Sequence, residues 1–181
     1  KRLTEGLGRR FKICEVSFKP YASCRHTHPA IEAALTLKAK YGLTAREVVG
    51  VRVGTFSTAL KIAGNPKPKT PFAAKFSIQY CVAAALVYGR VWLEEFSEQT
   101  LRNPDVRRLM RKVDVYVDEE VEKQYPSKCG AKVEIKTGEG TYEFKIENPK
   151  GDPENPLTDE EFKAKFMNTA TRTLGENQAE E

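Results

Sequence analysis

Phe72-Ala-Ala-Lys-Phe-Ser-Ile-Gln-Tyr80-Cys-Val-Ala-Ala-Ala-Leu-Val-Tyr88 is the stretch with the strongest helical pattern in this sequence. Its first half mixes Lys75, Ser77 and Gln79 with apolar residues, whereas Cys81 to Val87 is apolar on every side. A helix that is apolar all round is buried all round, so this one runs through a core and needs other elements packed around it. Gly89 follows as its C-cap. The apolar run from Ile78 to Tyr88 is too short to span a bilayer.

The elements that surround this helix set the fold class. Upstream, Phe11, Ile13, Val16 and Phe18 alternate in part and predict a short strand. It leads into Phe18-Lys-Pro-Tyr-Ala-Ser-Cys-Arg-His-Thr-His28-Pro29. Pro29 suits a first helical residue, because its fixed φ is helical and its missing N–H would be unpaired there. A helix from Ala30 to Tyr41 stops at Gly42. Val49, Val51 and Val53 then alternate with Gly50, Arg52 and Gly54, giving a strand over Glu47 to Phe56. Ser57 to Ala63 makes a helical turn or two. Gly64 to Pro71 is a rigid, basic, proline-rich loop.

Downstream, Leu93 to Leu101 and Asp105 to Lys112 read as short helices, and Lys112 to Asp118 as a strand. Glu119 to Gly130 reads as an irregular polar segment. Ala131 to Thr137 and Thr141 to Glu147 form a hairpin around Gly138-Glu-Gly140, with Val133 and Ile135 sharing a face with Tyr142, Phe144 and Ile146. Thr158 and Glu161 make a capping box with Leu157 and Phe162 in the staple positions, opening a helix to about Ala170. These elements predict an α+β fold, a two-layer sandwich of a mixed or antiparallel sheet packed against helices. One domain is expected over residues 1–170, with 171–181 as a frayed tail.

The 181 residues carry a net charge of +5 and a pI of about 9.0. Acids and bases are interspersed over the chain as a whole, and no Lys/Arg block has aromatics between its members. Nucleic acid is therefore not expected as a partner. Cys14, Cys24, Cys81 and Cys129 have no metal-ligand spacing, and reduced thiols in the cytoplasm are the default. The chain opens on Lys1 without an apolar signal core and reads as a helix tail and turn from within a longer protein.

The loop before Pro29 holds both histidines and delivers Lys19, Cys24, Arg25, His26 and His28 to a helix start. Free backbone N–H groups favour an anion there. Lys19 and Arg25 can hold carboxylates, Arg25 in a bidentate fork. His28 sits where the helix dipole disfavours its charged form, which suits a proton shuttle. The competing reading of a histidine at this place is a cap. Cys24 reads either as a nucleophile, since such surroundings favour a thiolate, or as a packing residue. Tyr80 reads equally as a core tyrosine bonded to a backbone carbonyl or as a site hydroxyl. Two histidines at i and i+2 with no acidic partner make a poor metal site.

Three motifs together, Phe18 to Pro29, Phe76-Ser-Ile-Gln-Tyr80-Cys-Val-Ala-Ala-Ala-Leu and Pro156-Leu-Thr-Asp-Glu-Glu-Phe-Lys-Ala-Lys-Phe, resemble the C-terminal domain of the MmgE/PrpD family. That family includes 2-methylcitrate dehydratases, cis-aconitate decarboxylases and an iminodisuccinate epimerase. The resemblance implies a lid domain that closes a cleft against a helical N-terminal domain, in a homodimeric parent. It implies a small di- or tricarboxylate substrate, a role in propionate metabolism, and chemistry without a metal, iron–sulfur cluster or other cofactor. Lys19, His28 and Tyr80 match the family's catalytic lid positions, with Cys24, Arg25 and His26 beside the substrate. Cys24 stands where the decarboxylases carry a histidine, which argues against that activity. By itself the chain is then expected to be inert; the alternative is a stand-alone binding module for an anionic metabolite.

Overall fold

The computed structural model describes residues 4–180. In chain order its regular elements are α1 (His28–Tyr41), β1 (Val48–Thr55), α2 (Ser57–Ala63), α3 (Pro71–Ala74), α4 (Ile78–Tyr88), α5 (Glu98–Arg102) and α6 (Pro104–Met110). Then come β2 (Val113–Val117), α7 (Glu119–Gln124), β3 (Ala131–Thr137), β4 (Thr141–Ile146), α8 (Asp159–Leu174) and α9 (Glu176–Glu180). The fold is α+β. The chain divides into two compact units, residues 21–149 and a smaller unit of 4–20 with 150–180.

In the larger unit the expected helix over 72–88 is split by Ser77, whose extended backbone interrupts it. The Ser77 hydroxyl accepts the Tyr80 N–H at 3.1 Å and donates to the Asn65 carbonyl at 2.6 Å. A serine that caps from an extended conformation starts a new helix, so α4 begins at Ile78. Gly89 ends it at φ +71°, where any other residue would be strained. Ile78 through Leu86 are all buried. α4 packs on α1, α6 and β2, and α1 packs on β3 and β4.

The four strands run in the order β2-β1-β3-β4. β1 and β2 are parallel, and the other pairs are antiparallel. Register aligns Val113, Val51, Ile135 and Tyr142 in one row and Val115, Val53, Val133 and Phe144 in the next. These rows supply the sheet's core face, with Val51, Val53, Val113, Val133 and Ile135 buried. The alternate positions carry Arg52, Asp114, Glu134 and Glu143, and Lys132 pairs with Glu143 at 2.9 Å. One face of the sheet is apolar and covered by helices, and the other is polar.

In the smaller unit the strand expected over Phe11 to Phe18 is absent. Lys12–Glu15 is instead a 3₁₀ turn with no buried residue, and Arg10 and Lys12 both bind the Glu15 carboxylate. Alternation without a partner strand cannot hold a ladder. Residues 1–3 of the expected helix tail lie outside the described residues, and 4–9 form turns. Phe18 N–H donates to the Gly151 carbonyl at 2.8 Å, and a Cβ on Gly151 would lie 1.8 Å from the Phe18 carbonyl. Only glycine fits there. The Thr158–Glu161 capping box opens α8 as expected.

One further expectation is corrected. The segment expected to be irregular contains α7, because Asp118 caps the Glu120 and Val121 N–H groups and Val121 is buried. Over 171–180, α8 continues to Leu174 and α9 follows.

Ile135 faces the core at the sheet centre and Glu134 faces away. Urea denaturation should show Ile135→Ala losing about 2–5 kcal/mol and Glu134→Ala changing stability by no more than about 0.5 kcal/mol. Equal losses would contradict the assignment of faces.

Candidate active site

The loop entering α1 folds as a 3₁₀ turn, Arg25–Thr27, held by its own hydroxyls. Thr27 Oγ1 donates to the Cys24 carbonyl at 2.8 Å. With that hydrogen committed, it accepts from Ser23 Oγ at 2.7 Å. Both side chains are buried. The Cys24 N–H donates to the Lys75 carbonyl at 2.9 Å, and the Ala22 N–H to Val91 at 3.5 Å. The loop is thus stitched to the chain on either side of α4.

This turn sets the two histidines apart. His28 is 1% exposed, and its Nε2 lies 3.3 Å from the Ser23 carbonyl. Facing an oxygen that can only accept, Nε2 carries the hydrogen. The Tyr21 ring meets the imidazole edge-on at 5.1 Å. His26 is partly exposed, with its ring 5.3 Å from Phe56, which stacks on Tyr125. Arg25 and Cys24 are likewise partly exposed. The structure therefore gathers Cys24, Arg25, His26 and His28 in one turn. Lys19 is exposed and belongs to the smaller unit.

Tyr80 is fully buried on α4. Its hydroxyl donates to the Glu95 carbonyl, with Thr100 Oγ1 at 3.3 Å as a second acceptor. Burial pushes the phenol up to about 12. The Glu95 carboxylate, which sequence reasoning missed, is 2% exposed and accepts from Arg90 Nε at 3.0 Å and from the Trp92 N–H at 2.8 Å. Nothing local separates Glu95 from its neighbour Glu94 in the sequence. The Arg90 guanidinium also lies 5.8 Å from the Trp92 ring. Cys81 is buried beside Thr27 and Ser23, and burial pushes its thiol up to about 12.

The electrostatics follow from two stretches without any aspartate or glutamate, residues 16–31 and 48–93. The Cys24–Lys75 hydrogen bond and the contacts of the 25–27 turn with α2 and α4 bring them together. Of the carboxylates from elsewhere, Glu95 is engaged by Arg90, and Glu122 by the Ser57 N–H and hydroxyl at 2.6 and 2.7 Å. Such a surface suits an anion. Among the described residues no cluster of three His, Cys, Asp or Glu could hold a metal ion, and no helix is long and apolar enough to cross a membrane.

The profile of the MmgE/PrpD C-terminal domain matches residues 21–181. The cis-aconitate decarboxylase-like protein oryM of Aspergillus oryzae is 27% identical, aligned over 96% of this chain and 38% of its own length. The probable 2-methylcitrate dehydratase of Saccharomyces cerevisiae is 29% identical over 70% of this chain and 26% of its own. Human cis-aconitate decarboxylase is 25% identical over 88% and 34%. The chain spans about a quarter to two fifths of the length of these relatives.

Tyr80 and Cys81 hold their protons to higher pH in the folded chain than at their ordinary values of 10.0 and 9.0. From pH 9 to 12 the unfolded chain releases these protons first, so stability should fall as pH rises through that window. Thermal melts should record the fall, and Tyr80→Phe should flatten its upper part while losing about 1–2 kcal/mol at neutral pH through the lost hydrogen bond. Iodoacetamide should label exposed Cys14 in the native protein and reach Cys81 only after denaturation.

Proposed function

The chain belongs to the MmgE/PrpD C-terminal domain family, and from that premise we propose that it is the lid half of a lyase or isomerase acting on a small di- or tricarboxylate. The carrying observation is the 24–28 turn, which gathers Arg25 and His26 at the start of α1 within a stretch of sequence, 16–31, that has no aspartate or glutamate. Removing a proton next to a carboxylate places negative charge on that carboxylate as an aci-carboxylate. Preorganised cations and N–H dipoles are the groups that stabilise it. Arg25 grips a carboxylate through its fork, and Lys19, placed by motif, polarises the second.

The family motif puts proton transfer at His28 or Tyr80. In this structure both are buried with their polar atoms engaged, so we give them the task of holding the turn, and His26 the task of moving the proton. Dehydration in the manner of a 2-methylcitrate dehydratase is the preferred reaction, because Cys24 replaces the histidine of the decarboxylases. No resident cofactor is invoked. The four thiols are free, which suits the cytoplasm; the Yarrowia lipolytica relative is named as mitochondrial, and that compartment is the alternative.

The rest of the cleft comes from a helical partner domain in a dimeric parent. α8 supports this. Phe162, Phe166, Ala170 and Leu174 recur every fourth residue, and Phe162, Phe166 and Leu174 are about half exposed. A helix whose apolar stripe stays half exposed, even with Phe162 edge-on to Phe18 at 5.2 Å, has surface left to bury against another element.

Full-length protein supplied with 2-methylcitrate, citrate or cis-aconitate in deuterated water should exchange or turn over at least one of them by NMR. Arg25→Ala and Lys19→Ala should each slow that reaction about 10²–10³-fold. His26→Asn should slow it with the melting temperature unchanged, whereas His28→Asn should lower the melting temperature. Full activity in Arg25→Ala and Lys19→Ala together would end this reading. Tight polycarboxylate binding by the isolated chain, with no turnover by the full-length protein, would favour a binding module instead.

A further inference from the structure

Glu95 and Asp152 are the two carboxylates buried among the described residues, and the proposed reaction gives Glu95 no task. A buried charge is costly unless it is paired and hydrogen-bonded. Glu95 meets both conditions with one donor on each oxygen. Oε1 accepts from Arg90 Nε at 3.0 Å, and Oε2 from the backbone N–H of Trp92 at 2.8 Å. The carbonyl of the same residue takes the Tyr80 hydroxyl. One residue thus ties the 90–92 segment through its side chain and α4 through its backbone.

Between the two donors stands Val91, whose side chain is buried and whose carbonyl accepts the Ala22 N–H at 3.5 Å. A bond of that length is too weak to place Val91 by itself. The shorter bonds from Arg90 and Trp92 on either side do so. Ala22 in turn is flanked by two groups that hold His28. The Tyr21 ring meets the imidazole edge-on at 5.1 Å, and the Ser23 carbonyl faces its Nε2 at 3.3 Å. On the other side of Glu95, the Phe96 ring lies 5.7 Å from Lys75 Nζ, and the Lys75 carbonyl holds the Cys24 N–H. The ties of the site loop at Ala22 and Cys24 therefore both lead back to the segment that Glu95 fixes.

We propose that Glu95 is a positioning residue of the candidate site: by pinning Arg90 and Trp92, its carboxylate sets the Val91 carbonyl that seats the loop carrying Arg25 and His26. The inference rests on the reading of the 24–28 turn as the reacting part of the lid. A carboxylate is the group this task requires, because it accepts on both oxygens. A glutamine of the same shape accepts on one side and turns its NH2 against the other donor. Misplacing a reacting group by about 1 Å costs about 10²-fold in rate, so a loosened clasp shows in turnover.

Glu95→Gln separates this role from plain support of the core. Hydrogen exchange of the 181-residue chain should show the Ala22 and Cys24 amides about tenfold faster, with the Val51 and Val53 amides of β1 unchanged. In the full-length protein, kcat should fall about 10–10²-fold with whichever of 2-methylcitrate, citrate and cis-aconitate turns over. Glu98→Gln, which breaks the exposed pair with Arg102, should change neither. Arg90→Gln/Glu95→Gln strands no charge, so it should recover any lost melting temperature while the loop amides stay fast and kcat stays low. Unchanged loop amides in Glu95→Gln, or faster ones with kcat unchanged, would overturn the positioning role and leave the carboxylate turn standing. So would full recovery of the loop and of kcat in the double variant. Exchange rising equally in β1 would make Glu95 a support of the whole core and also overturn the role. Wild-type full-length protein inert toward all three acids would remove the carboxylate reading, and the positioning role with it.

Discussion

Helix α4 must be buried on every side, and the larger unit is arranged around that requirement. Between Ile78 and Leu86 its surroundings are α1, α6 and the core face of the sheet. Polar business is displaced to its first turn and flank: the Ser77 cap, the Gln79 amide, the Tyr80 hydroxyl and the hydroxyls around Cys81. The loop that carries the candidate site is tied to this polar rim at Lys75 and Val91. Its geometry follows from the burial of a helix in which it has no part. An unpaired buried group costs more than a hydrogen bond returns, which is why each of these ties is made.

Charge is sorted along the sequence in the same way. The exposed face of the sheet is laced with ion pairs of alternating sign, Lys132 with Glu143 and Lys145 with Glu120. The rim of α4 is fed by two stretches with no acid at all. Glu95, which comes to this rim, is bound by Arg90. Positive charge sorted into stretches of this kind makes a more directional field than the same charge spread evenly. That contrast carries the functional reading better than the total charge does.

Much of this was legible. Alternating valines fixed β1 and β2, the glycines at 138 and 140 fixed the hairpin, and the Thr158–Glu161 box fixed the start of α8. What stayed hidden depended on partners distant in sequence. Ser77 reads as mid-helix until Asn65 is brought to its hydroxyl. Phe11 to Phe18 alternates like a strand but has no neighbour to pair with. Asp118 was a visible cap whose signal was masked by the acidic run after it. In the site, Arg25 and His26 were found by residue type and spacing. The turn that buries His28 and leaves His26 accessible depends on Ser23 and Thr27, and the Glu95 ligation of Arg90 depends on the path after Gly89. Neither has a local signature.

The clasp after α4 has one more property. Trp92 is the only tryptophan of the chain. Its backbone N–H is bound to the Glu95 carboxylate, and the guanidinium that neutralises that carboxylate lies beside its ring. The fluorescence of the whole chain above 295 nm excitation therefore originates at the joint that holds Tyr80 and, through Val91, the site loop. Evolution has left a single intrinsic lamp on the hinge-pin of the domain, and its colour reports whether that pin is seated.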